Sequence, residues 1–166
     1  MSQTAVAYRP AQIWLHWSVV IGVIVQIGFH DPIVAVVDAR EAGQAPTASD
    51  VSLAWVHVGV GSLILLAVLA RLYLRWRHGT PGHAPGTSVL QARSATLMHA
   101  VLYGLLLAMV VTGMLTWTGI APLGGLHFAI NVALFFSALV HAAAAIFNQV
   151  VRKDGTLARM VPLLRR

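Results

Sequence analysis

Eight histidines and no cysteines occur in a chain of 166 residues. Among side chains that bind metals or change charge near neutral pH, imidazole is the one present in number. The lack of cysteine removes disulfides, thiolate-held iron–sulfur clusters and thioether-linked haem. The stretch Leu126–His141, LHFAINVALFFSALVH, sets two histidines in an otherwise apolar run, fourteen residues apart. On a helix that separation turns through about 1400°, within about 40° of whole turns, and rises ~21 Å. His127 and His141 therefore share one helix face and lie near opposite sides of a bilayer. His16 and His30 have the same separation.

The elements that carry these groups follow from composition. Hydrophobic residues make up 58% and charged residues 10%, against roughly 25% charged in an average soluble domain. A bilayer is the solvent this composition suits, and the length suits one domain over 1–166. A membrane helix needs ~20 largely apolar residues. Four segments qualify, at about 11–29, 51–74, 95–117 and 126–151. The breaks HDPIVAVVDAREAGQAPTASD, RWRHGTPGHAPGTSVLQARS and TGIAPLGG carry Pro, Gly or charge and read as loops. Pro10 suits the start of the first span, and Ser94 and Thr96 suit a cap on the third. The first segment reads as a span and not a signal peptide, because no small-residue cleavage site directly follows Phe29.

Basic residues mark the cytoplasmic side. Arg9 precedes the first span; Arg71, Arg75, Arg77 and Arg93 lie where spans two and three meet; Arg152, Lys153, Arg159, Arg165 and Arg166 follow span four. Arg40 alone falls in the other loops, with Asp31, Asp38, Glu41 and Asp50 around it. The expected fold is an all-α membrane protein, a four-transmembrane-helix up-down bundle with both termini cytoplasmic. The net charge of +6 then reflects topology, and no nucleic-acid partner is expected. Trp14, Trp17, Trp55, Trp76 and Trp117 fall near span ends, as an aromatic belt requires.

Orientation gives each histidine a depth. His16, His99 and His141 lie towards the cytoplasmic face, and His30, His57 and His127 towards the outer face. His78 and His83 fall in a cytoplasmic loop. Ionisable groups within spans are costly and face the bundle interior. Two layers of imidazoles, with apolar walls and no cysteine, suit two stacked b-type haems in a four-helix core. Bare zinc lacks support, since neither HExxH nor ligand carboxylates are present. Spacing leaves the pairing open between His57 and His30 as the outer partner. His57 is favoured because Gly59 and Gly61 follow it and let a flat macrocycle approach, whereas His30 precedes Asp31-Pro32 at a helix end. Arg71, fourteen residues after His57, fits a haem propionate and equally a snorkelling residue at a helix end.

Taken together, IWLHW at Ile13–Trp17, VHVGVG with LARLYLRW, MHAVLYGLLLAMVVTG, and LH…LVHAAAA resemble the bacterial cytochrome b561 family. That family includes small superoxide oxidases and shares its core with hydrogenase and formate dehydrogenase b subunits. The tail KDGTLARMVP is similar to that of the superoxide-oxidase type. The resemblance implies that His16 and His141 hold an inner haem and His57 and His127 an outer one. It implies that His99 lies near an inner-side quinone or a propionate and not on iron, and that Asn148 and Gln149 lie near the quinone region. It implies a multi-pass protein of the bacterial inner membrane, with membrane lipid and quinone as partners. Electrons would pass from a periplasmic donor such as superoxide through two haem b groups to ubiquinone. The TGIAPLGG loop is shorter than the outer segment of the superoxide-oxidase type, which departs from that type's entry site for superoxide, and the acidic first loop would not attract an anion. One alternative is an electron-transfer subunit serving a separate periplasmic redox protein. Another is a non-redox four-helix membrane protein with proton-relay or zinc histidines.

Overall fold

A computed structural model of the chain describes residues 7–84 and 86–164. Among these there are five α-helices and no strand: α1 (Pro10–Gly28), α2 (His30–Glu41), α3 (Ala48–His78), α4 (Val89–Trp117) and α5 (Gly124–Val150). Two single 3₁₀ turns follow, at Leu157–Arg159 and Pro162–Leu164. Helices α1, α3, α4 and α5 are each long and apolar enough to cross a membrane. In hydrocarbon the backbone has no water partner, so an open chain can cross only as helix, with its hydrogen bonds closed internally.

Side-chain contacts fix an up-down order. Gln12 of α1 meets Arg71 of α3 and Gly79 just past its end, while Gly22 of α1 meets Ile64 of α3. On α4, Tyr103 lies beside Arg71 and Trp117 beside Trp55 of α3. His99 and Thr112 of α4 lie beside His141 and His127 of α5. The start of α1, the described residues after α5 and the α3–α4 loop share one end of the bundle, the inner end, which the sequence reading expects to face the cytoplasm. There Trp17 Nε1 donates to the Met160 carbonyl at 2.9 Å, and Arg159 donates to the Gly82 carbonyl. Arg165 and Arg166, counted towards the basic tail, lie outside the described residues.

Helix ends differ from the sequence reading in three places. Helix α4 begins at Val89, capped by Ser88 and not by Ser94 or Thr96. Ser88 Oγ accepts the Gln91 amide at 3.3 Å, and Gln91 Oε1 accepts the Ser88 amide at 3.0 Å, a reciprocal capping box. Thr96 sits inside the helix with its hydroxyl on the Ala92 carbonyl. His78 is the last residue of α3 and not part of a loop. The larger departure is α2, where Pro and charge read as a loop. Ile33, Val36 and Val37 share a face, Val36 is fully buried, and α2 packs on α3. Pro32 falls in the first turn, where its missing N–H costs nothing.

The buried centre is small, because lipid takes the place of a partner for most apolar faces. Val19, Ile64 and Val68 form it, with Tyr103, Leu106 and Leu107 packed around them. Gly22 lets α1 reach α3 here: a Cβ at this position would stand 2.8 Å from Ile64 Cγ1. Overpacking a seam of this kind costs about 1–3 kcal/mol. Gly22→Val is therefore expected to lower the thermal midpoint of the detergent-solubilised protein. Gly28→Ala, with nothing within 4 Å of the added carbon, is expected to leave it unchanged. Equal melting of the two variants would contradict the α1–α3 seam.

Candidate functional site

The inner end gathers His16, His99 and His141. The rings of His16 (α1) and His141 (α5) meet edge-on with centroids 6.3 Å apart and planes at 71°. His99 (α4) lies closer to His141, at 5.2 Å and 76°. His99 Nδ1 is 2.6 Å from the Ala95 carbonyl. A carbonyl only accepts, so Nδ1 carries the hydrogen and Nε2 keeps its lone pair. Arg71 Nη1 donates to the Gln12 carbonyl at 3.0 Å, with its guanidinium carbon 6.0 Å from the Tyr103 ring centroid. One of five guanidinium N–H groups is thus committed.

Gln12, which sequence reasoning passed over, is buried and ties the α1 start down. Its amide donates to the Gly79 carbonyl, and its Oε1 accepts from the Arg9 amide, both at 3.1 Å. Beyond the membrane segment, burial raises the Tyr8 phenol above its ordinary pKa, against the pull of Arg75, Arg71 and Arg159. The phenol keeps its proton at this end. Gln149 accepts the Ala158 amide at 3.4 Å, so it helps hold the tail against α5.

The outer end holds His57 (α3) and His127 (α5), which line one cleft of about 790 Å³. That lies within the roughly 300–1,000 Å³ usual for ligand and cofactor sites. His30 opens α2 and lines the same cleft. Thr112 Oγ1 is 2.8 Å from the Ala108 carbonyl and 3.0 Å from His127 Nδ1. The single hydroxyl hydrogen goes to the carbonyl, so His127 Nδ1–H donates to Thr112 and Nε2 is left as a lone pair. This is the tautomer a metal ligand needs, set by a partner on the neighbouring helix. Gly113 makes room for the ring, since a Cβ there would stand 3.0 Å from His127 Cε1.

Two buried atoms around this cleft lack partners: His57 Nδ1 and Gln26 Oε1. Unpaired buried polar atoms are rare and call for an explanation such as an ion or a bound group. Between the two layers lie Val19, Ile64 and Val68, with Leu134 of α5 also buried. Helix α2 sets Asp31, Asp38 and Glu41 along the cleft's outer margin. Arg40 stacks on Trp117 at 4.4 Å, and Trp117 meets Trp55 edge-on at 5.2 Å.

The donor set fits a tetrapyrrole better than a bare ion. Among the described residues no group of three or more His, Asp or Glu is placed to hold a metal. The imidazoles instead cluster at two levels, three at one end and His57 with His127 along the cleft at the other, and a porphyrin brings four nitrogens of its own and asks the protein for few ligands.

The prokaryotic cytochrome b561 family matches residues 7–163, and the chain belongs to it. Membership implies haem b. The chain is 33% identical over 157 positions to cytochrome b562 of Cereibacter sphaeroides, covering 93% of this chain and 94% of that protein. It is 25% identical to cytochrome b561 homolog 1 of Escherichia coli K12, over 93% of this chain and 97% of that protein. It is 27% identical to the probable superoxide oxidase CybB of Yersinia pestis, over 95% and 97% of the two chains.

Thr112 is a positioning residue for His127, and partners of this kind change metal affinity about 10–100-fold. Thr112→Val is expected to lower haem retention on dilution, or to shift one midpoint potential, with Thr112→Ser restoring both. Unchanged retention and potential in the valine variant would remove this role.

Proposed function

We propose that this cytochrome b561 family member is a transmembrane di-haem cytochrome. It passes electrons from a donor at its outer, periplasmic face to ubiquinone at the inner face of the bacterial inner membrane. The observation that carries the proposal is the pair of imidazole layers at opposite ends of one bundle, divided by an apolar centre. When bound, haem b supplies one-electron chemistry at each level.

The chain's own residues supply the holding and the insulation. His16 and His141 would hold the haem at the inner level, and His57 and His127 that at the outer level. Thr112 keeps the outer ligand in its metal-binding tautomer. Arg71, fixed by Gln12, keeps four N–H groups to meet a propionate. His99, held by Ala95, stays off iron and stands at the inner layer beside Arg71 and Tyr103, where a quinone needs a hydrogen-bond partner. Val19, Ile64 and Val68 exclude water between the levels, so charge inside is screened weakly. The arginines at the inner end support its cytoplasmic side.

The acids of α2 favour a second reading of the donor. Asp31, Asp38 and Glu41 line the cleft that holds His57 and His127. A negative margin slows an anion such as superoxide and speeds a cationic partner, by factors of about 10 or more at low salt. A periplasmic redox protein with a basic face then delivers the electron, and the chain acts as its membrane relay.

Two measurements test these statements. A reduced-minus-oxidised visible spectrum with haem quantification is expected to give about two haems per chain. His16→Ala and His57→Ala each bring this to about one, while His99→Gln leaves two. Loss of a haem in the His99 variant, with two retained in the His16 variant, would overturn the inner assignment. For the donor, Asp38→Asn with Glu41→Gln is expected to raise the rate of reduction by superoxide several-fold at low salt. A wild-type rate already at the diffusional limit, and unmoved by salt, would discard the second reading.

A further inference from the structure

A groove of about 640 Å³ lies at the inner end, between the start of α4 and the α3–α4 loop, outside both histidine layers. We propose that it binds the headgroup of an anionic phospholipid of the inner leaflet. Its α4 wall is one helical stripe, Val89, Arg93, Leu97 and Ala100, and its loop wall carries His83 and Thr87. Arg93 lies at the polar level, and Leu97 follows about 6 Å deeper along the helix. Leu97 is 65% exposed, as a side chain covered by an acyl chain in the membrane would be.

Charge selects the occupant. The chain has five acidic residues, and Asp154 is the one at the inner end, where it accepts the Thr156 amide. Arg93 is exposed and forms no hydrogen bond or ion pair with any described residue. The protein thus sets an uncompensated guanidinium over an apolar strip at headgroup depth. A lipid phosphate is the counter-charge available there, and basic pockets on this side of membrane proteins take such headgroups. Recognition does not fall to the helix end, whose Gln91 amide is already taken by Ser88.

Neighbouring polar groups sharpen the chemistry. The hydroxyls of Thr87 and Thr96 donate to the Ala84 and Ala92 carbonyls, at 2.7 and 3.0 Å. Their oxygens keep lone pairs for a donor, which suits a phosphate bearing a glycerol hydroxyl. The loop wall is held from behind by the tail, with Arg152 donating to the Gly86 carbonyl at 3.5 Å and Arg159 to that of Gly82.

The test uses the purified full chain in neutral detergent with added phosphatidylglycerol or phosphatidylcholine, read by native mass spectrometry and thermal midpoint. Phosphatidylglycerol is expected to give a retained one-lipid adduct and a higher midpoint, and phosphatidylcholine neither. Arg93→Gln is expected to weaken the adduct roughly fivefold, while Arg77→Gln, an exposed arginine outside the groove, leaves it intact. Equal binding by the Arg93 variant and the wild type overturns the proposal, as does an equal loss in the Arg77 variant, which would indicate diffuse attraction. Inorganic phosphate reproducing the whole midpoint shift, with no lipid adduct, also overturns it by assigning the groove to a free anion.

Discussion

An imidazole inside a bilayer must find its partners within the protein, and the rest of this structure answers to that constraint. Hydrocarbon offers no hydrogen bond, so a ring within a span depends on whatever helix groups stand nearby, and two of the histidines show such ties. His99 uses a carbonyl of its own helix, one turn earlier. His127 uses a threonine on the neighbouring helix, which in turn uses a carbonyl. In both cases the tie takes up Nδ1 and leaves Nε2 as a lone pair. The cost of burying a histidine is thereby also what fixes its tautomer.

The helices are arranged to leave room for what those lone pairs bind. α1 lies along α3 and α4 along α5, each pair drawn close where a side chain is missing. Gly22 admits Ile64, and Gly113 admits the His127 ring. The inner end is fastened by backbone-directed bonds from Gln12, Arg71 and Trp17. These bonds hold the helix ends in place without filling the interior with side chains. At the outer end the cleft stays open, and the unpaired His57 Nδ1 and Gln26 Oε1 border it. A chain folding for its own stability alone would close such a space with aliphatic side chains.

Depth was legible in the sequence, because helix rise and the apolar spans convert residue number directly into height. The placement of His16, His99 and His141 at one end and His57 and His127 at the other rests on that conversion. Lateral neighbours were not legible. Thr112 acquires its role from His127, on another helix, and no spacing within one span reveals it. Helix α2 was missed because its helicity depends on burying Val36 against α3, a tertiary effect that Pro32 and the flanking acids disguise. The α4 cap was legible and misread. Ser88 followed by Gln91 is a capping-box signature, and the first span-like residues drew attention to Ser94 instead.

Charge asymmetry links the two ends of the molecule. Four of the five acidic residues stand in or beside α2 at the outer end, and basic residues crowd the inner end. Orientation during insertion needs only the basic excess on one side, so the outer acids call for a separate reason. Asp50 has a local one, as its amide and carboxylate both meet Thr47 at the start of α3. Asp31 stands in the first turn of α2, where a helix N-terminus favours a carboxylate, and Asp31, Asp38 and Glu41 all border the cleft that holds the outer histidines. Under the proposed function, such a negative rim would discriminate among donors by charge before any contact with the interior is made. The same asymmetry leaves the inner arginines short of carboxylates, and at that end the membrane's own phosphates complete the pairing.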